Sequence, residues 1–157
     1  MTNRAKATRP ALKEAPVGVL VVDDFEPFRV LVSSLLRSER ELKIIAEVSD
    51  GLEAVQKAKE LHPDLILLDI GLPELNGIAA ARQIREVAPN AKILFLTQET
   101  SADVVQQAIS LGAFGYVAKA KAGTELVKAI ETVLSGQRFI GSGLAGSNHR
   151  DARAEKV

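Results

Sequence analysis

The sequence predicts an α/β fold: a doubly wound, five-stranded parallel sheet with helices on both faces. Short apolar runs alternate five times with segments of helical period, the order expected of strands joined by crossover helices. The runs at 19–22, 65–68 and 93–96 are apolar at successive positions, which suits strands buried on both faces. Polar residues stand just past the runs, namely Asp23-Asp24, Asp69, Thr97 and Lys119. Open parallel sheets bind ligands outside the carboxyl ends of their strands, so this placement points to the same architecture.

Each element has its own warrant. The first strand is expected at 17–22. A helix follows at 27–37, where Phe28, Leu31, Val32, Leu35 and Leu36 recur at spacings of three and four and Pro27 suits a first helical turn. The run at 43–48 mixes Lys43 and Glu47 with Ile44, Ile45 and Val48, so it reads as a strand near an edge. Leu52, Val55, Ala58 and Leu61 form one stripe of a helix at 51–61 that His62-Pro63 ends. After the strand at 64–69, a helix at 77–87 presents Ile78, Ala81, Ile84 and Val87. A strand at 91–96 precedes Thr100-Ser101-Ala102-Asp103, which has capping-box spacing before Val104, Val105, Ala108, Ile109 and Leu111, with Gly112 as a stop. The strand at 114–117 leads to a helix over 122–135 with Leu126, Ile130, Val133 and Leu134 inward and Ser135-Gly136 at its end. The expected organisation is a flexible basic leader at 1–16, one domain at 17–140, and a flexible tail at 141–157 without an output domain.

Composition narrows the function. A chain of 157 residues, 46% of them hydrophobic, is enough for one domain with its own core. With no Cys, neither disulfides, thiolate metal ligation nor a Cys nucleophile is available. No apolar run approaches the roughly 18 residues of a membrane span, and the charged N-terminus is unlike a signal peptide. A cytoplasmic protein without a membrane partner is expected. The leader and tail carry seven positive and three negative groups; removing them from 20 of each sign leaves 13 positive and 17 negative in residues 17–140. That mildly acidic body argues against nucleic acid as a ligand of this chain.

The chemistry lies in the set of polar residues. Singly they are bland: Asp23 reads as a helix cap, Thr97 as a strand-end hydroxyl, Lys119 as a solvated charge. Together, three carboxylates, a hydroxyl and an ammonium at one sheet edge suit a divalent cation and a phosphoryl group, because hard cations choose carboxylate oxygens and Lys is a point charge for phosphate. Pro73 and Gly77 read as loop and helix-start geometry, and His62 and His149 have no partners for metal ligation.

Asp23-Asp24, the segment Asp69-Ile70-Gly71-Leu72-Pro73-Glu74-Leu75-Asn76-Gly77, Thr97, and Gly112-Ala113-Phe114-Gly115-Tyr116-Val117-Ala118-Lys119 closely resemble the receiver domain of bacterial two-component response regulators. Leu111-Gly112-Ala113, Glu125-Leu126 and Ser135-Gly136 resemble the subgroup that usually carries a LuxR-type helix-turn-helix output domain. The resemblance implies a flavodoxin-like sheet and a phosphoacceptor, Asp69, that takes its phosphoryl group from a sensor histidine kinase or phosphotransfer protein. It implies Mg²⁺ bound by Asp24, Asp69 and the Gly71 carbonyl, with Asp23 acting mainly through ordered water. Lys119 and Thr97 would contact the phosphoryl oxygens, and Thr97 and Tyr116 would repack residues 98–118 for a homodimer partner or a downstream protein. For Tyr116 a simple core role is an equal reading. Two positions depart from the pattern. Gln98 stands where receivers usually have a small residue, which puts the phosphorylation rates in question, and Ala120 stands where many have Pro.

Other classes fit less well. Phosphohydrolases of the haloacid dehalogenase type need a second Asp two residues past the nucleophile, where this chain has Gly71. Toprim-type nucleases lack their Asp-x-Asp here, and a flavodoxin-like cofactor site would want a phosphate loop where Asp23-Asp24 stand. The remaining alternatives are a phosphorylation-independent interaction module built like a receiver, and the receiver fragment of a DNA-binding transcriptional regulator.

Overall fold

A computed structural model describes residues 16–98 and 102–142. The leader, Thr100 and Ser101 of the expected capping box, and the tail from 143 onward lie outside the described residues. In chain order the elements are β1 (Val17–Val22), α1 (Glu26–Leu36), β2 (Leu42–Val48), α2 (Gly51–Leu61), β3 (Leu65–Asp69), α3 (Gly77–Val87), β4 (Lys92–Thr97), α4 (Ala102–Ser110), β5 (Gly115–Ala118), a single 3₁₀ turn (Lys119–Lys121), α5 (Ala122–Leu134) and β6 (Phe139–Ile140). The sheet is parallel, in the order β2-β1-β3-β4-β5-β6. None of the helices among the described residues is long and apolar enough to cross a membrane.

The uninterrupted apolar runs follow from this layering. Alternate residues of each central strand enter different cores. Leu20, Val22, Ile66, Leu68 and Phe95 pack with α2, α3 and α4, whereas Val19, Val21, Leu65, Leu67, Leu94 and Leu96 pack with α1 and α5. A strand covered on both faces has no wet side, so the period-2 signal vanishes. The mixed strand β2 lies at the sheet edge, as its composition predicts.

Three details differ from the sequence expectation. The sheet has six strands rather than five, because Phe139 and Ile140 pair in parallel with Gly115 and Tyr116; two residues carry no detectable period. The packed unit therefore runs beyond residue 140, with Gly141 buried. The buried face of α2 is Gly51, Ala54 and Ala58, whereas Leu52 is 55% exposed. The backbone at Leu75 lies so close that a Cβ on Gly51 would stand 1.8 Å from its carbonyl oxygen, so small residues set that interface. On α1, Phe28, Val32 and Leu36 face the core, but Leu31 is exposed.

The helix ends follow local chemistry. Asp50 and Asn76 cap α2 and α3 by accepting from the Glu53 and Ala79 amides at 2.8 and 2.9 Å. His62 ends α2 in the left-handed region, φ 48°, immediately before Pro63.

Candidate functional site

The strand order reverses at β1, whose neighbours are β2 on one side and β3 on the other. A crevice opens at the carboxyl ends of strands flanking such a reversal. Asp23 and Asp24 follow β1 and Asp69 is the last residue of β3, so the topology alone gathers three carboxylates there. One carboxylate oxygen from each lies within 4.8 Å of the others.

Asp23 is 1% exposed, and each of its polar groups is engaged. Its amide donates to the Val48 carbonyl at 3.1 Å, and its carbonyl accepts from Arg29 Nη1 at 2.6 Å. Oδ1 accepts from the Phe25 amide at 2.8 Å, and Oδ2 stands 2.6 Å from Lys119 Nζ. The Oδ2 contact is an ion pair lacking hydrogen-bond alignment, so this oxygen keeps acceptor capacity. Asp23 thus fixes the β1–α1 loop and does not cap α1, whose N-cap is Phe25 without a side-chain bond. Asp24 is exposed at the mouth.

Asp69 is 5% exposed. Its Oδ2 lies 3.3 Å from Lys119 Nζ and its Oδ1 accepts from the Gly71 amide at 3.2 Å. Burial pushes the Asp69 carboxyl above its ordinary value of 3.8; the Lys119 ammonium opposes that rise, the Asp23 charge adds to it, and the Gly71 amide opposes it. Three carboxylates face one ammonium, which leaves a surplus of two negative charges. That surplus and the all-oxygen donor set fit a divalent cation of the hard class.

Lys119 follows β5 and also lies over the Phe28 ring, 4.8 Å from its centroid. Asp24, Asp69, Gly71, Thr97, Gln98 and Lys119 line one open cleft of ≈ 740 Å³ together with Phe25, Phe28, Ala118 and Ala120. Thr97 is buried at the end of β4, in register with Ala118, and Gln98 is exposed beside it. Tyr116 does not line the cleft. It is 1% exposed inside the sheet, its ring 6.0 Å from that of Phe95 and tilted by 50°.

Arg29 escaped the sequence reading, whereas Gly77 stands at a helix start as that reading expected. Arg29 ties α1 to the Asp23 carbonyl and pairs with Glu47 Oε1 at 3.2 Å. A cation in the first turn of a helix opposes the macrodipole, and that was the available signal. Gly77 lets α3 start against the strand end that carries Asp69. Its amide donates to the Ile70 carbonyl at 2.8 Å, and a Cβ there would stand 2.2 Å from the Asp69 carbonyl oxygen.

Residues 19–131 match the family model for the response regulator receiver domain. Transcriptional regulatory protein LnrK of Bacillus subtilis is 34% identical over 140 residues, covering 89% of this chain and 64% of the relative. Response regulator UvrY of Escherichia coli is 35% identical over 129 residues, covering 82% of this chain and 59% of the relative. The chain therefore spans about 55–64% of the length of such curated relatives. A LuxR-family two-component response regulator from Aurantimonas sp. superposes with a TM-score of 0.81 at 31% identity, covering 89% of this chain and 99% of that one. The receiver domain of the putative regulator NarL from Mycobacterium tuberculosis gives 0.74 at 30% identity, covering 79% and 100%. A family model that spans most of the domain, on a fold and site of this construction, makes the chain a member of the response regulator receiver family.

Proposed function

We propose that Asp69 is the phosphoacceptor of a cytoplasmic two-component system, taking its phosphoryl group from the phosphohistidine of a sensor kinase or phosphotransfer protein. The observation that carries this reading is the buried Asp69 carboxylate 3.3 Å from Lys119, with two further carboxylates beside it at the strand reversal. In the transfer the P–N bond of the donor breaks as an Asp69 oxygen bonds to phosphorus, and the imidazole leaves as the neutral ring after taking up a proton. Nucleophile and donor are both anionic, so catalysis is positioning and charge neutralisation.

Asp24, Asp69 and the Gly71 carbonyl would hold Mg²⁺, with Asp23 anchoring the loop and orienting ordered water. The cation would supply charge neutralisation at the phosphoryl oxygens. Lys119, now shared between Asp23 and Asp69, would turn its charge to the phosphoryl group, and the Thr97 hydroxyl would donate to another oxygen. Thr97 drawn inward would let Tyr116 move, repacking residues 98–118 for a second copy or a downstream protein. The same site would catalyse loss of the phosphoryl group to water, so the domain is a signalling switch and acts on no outside substrate. The names of relatives such as LnrK favour transcription as the controlled output, and the acidic body favours control through protein contacts.

Incubation with acetyl phosphate and Mg²⁺, followed by intact mass, tests the assignment. Wild type should gain about one phosphoryl mass and Asp69→Asn none; equal labelling of both would remove Asp69 as the acceptor.

A further inference from the structure

We propose that the outer edge of β5 is a docking surface for segment 139–142 of this same chain, and that the position of Tyr116 sets how tightly the segment docks. The segment continues the sheet: the Phe139 amide donates to the Phe114 carbonyl at 2.9 Å and the Gly141 amide to the Tyr116 carbonyl at 2.7 Å. Its two strand side chains divide between the cores. Phe139 packs with the α1 and α5 layer, and Ile140 packs into the cluster that contains Tyr116.

Glu125, in the first turn of α5, holds the far end. Its Oε2 accepts from the Ser142 amide at 3.3 Å and from the Ser142 hydroxyl. Its other oxygen, Oε1, is buried against Gly141, where a Cβ would stand 2.7 Å from Oε1 and 3.2 Å from the Tyr116 carbonyl oxygen. The surface therefore favours an extended Phe-Ile-Gly-Ser segment: two apolar side chains on opposite faces, a third position where a side chain would displace the Glu125 carboxylate, and two donors for that carboxylate at the fourth. Main-chain bonds give such a site its affinity and alternate pockets give it its selectivity.

Two strand residues and one carboxylate make a weak attachment, so the segment belongs among the first parts of the domain to open. Tyr116 meets it twice, through its carbonyl and as the register partner of Ile140 on the neighbouring strand. Coupling between two positions is reciprocal, so whatever shifts Tyr116 must change the docking, and release of the segment must change Tyr116. Combined with the switch role proposed above, on which this last step rests, the segment would carry the state of Asp69 to the residues after Ser142.

The test uses the full chain without phosphorylation, so its failure is separate from a failure of Asp69 to label. Tyr116 is the only Tyr and the chain has no Trp, so intrinsic fluorescence reports on that residue alone. Glu125→Ala and Gly141→Ala should speed amide exchange at residues 139 and 141 by about ten- to hundredfold, leave the amides of β1 and β3 protected, and shift Tyr116 emission and its quenching by acrylamide. Ser142→Ala, an exposed and mild change, should give a smaller shift in the same direction. Unchanged exchange at 139 and 141 in Ser142→Ala and Glu125→Ala would overturn the docking, and faster exchange with Tyr116 emission unaltered would overturn the coupling.

Discussion

Replacing Gly77 by Ala tests whether the start of α3 positions the candidate nucleophile. An added Cβ would lie 2.2 Å from the Asp69 carbonyl oxygen, 2.6 Å from Ile70 Cα and 2.9 Å from the Asp69 carbonyl carbon, whereas ordinary contact begins near 3.4 Å. The shortfall of 1.2 Å falls on backbone on both sides and so cannot be relieved by turning a side chain. At an open helical site Gly→Ala stabilises by about 0.4–1 kcal/mol through the unfolded chain. Here the crowding costs about 1–3 kcal/mol and should reverse that sign. The net loss, up to about 2.6 kcal/mol, should lower the urea midpoint by up to about 1.3 M for a slope of about 2 kcal/mol/M. The larger effect should be on chemistry, because displacing a reacting group by about 1 Å can cost about 100-fold in rate. Urea unfolding and the rate of mass gain with acetyl phosphate and Mg²⁺ measure the two effects. A Gly77→Ala protein as stable as wild type and labelled at the wild-type rate would refute the argument that this close approach locates Asp69.

Three further outcomes are expected. Because burial raises the Asp69 pKa, the folded state holds that proton more tightly than the unfolded chain, so the carboxyl costs stability as pH rises from 3.8 through the raised folded value. The Tm of Asp69→Asn relative to wild type, measured without metal, should climb over that window and then level; a pH-independent difference would refute the burial argument. In Mg²⁺ titrations Asp24→Ala should lose more affinity than Asp23→Ala, whose loss as an outer-shell change should be roughly 10- to 100-fold, and unchanged affinity in Asp24→Ala would remove it from direct ligation. Gln98→Ala, which opens the cleft beside Thr97, should speed phosphorylation by acetyl phosphate and shorten the lifetime of the product, since both reactions approach the same phosphorus in line; a longer-lived variant would show instead that the amide orients the attacking water.

The layering, and the gathering of polar residues at one sheet edge, were legible in one dimension. Strands such as 65–68 are apolar at every position because both faces are covered, and that property survives in one dimension. The polar residues that end these runs must meet wherever a parallel sheet is wound in both directions, so Asp23, Asp24, Asp69, Thr97 and Lys119 were legible as a group. Their separate burial was not. Asp23 and Asp24 are adjacent in the chain, yet only the packing around Phe25, Arg29 and Lys119 buries the first and exposes the second. Half of the expected α2 stripe holds: Ala58 is buried and Val55 packs against the core, but the backbone at Leu75 crowds Gly51, and Leu52 and Leu61 turn outward. The β6 strand is the clearest case of a tertiary decision. Phe139 and Ile140 have too little length to carry a period, and their conformation comes from the Phe114 and Tyr116 carbonyls and a carboxylate on α5 that are distant in sequence. Periodicity records which side of an element is dry, whereas the partner that makes it dry, and how closely it approaches, is settled only when the layers meet.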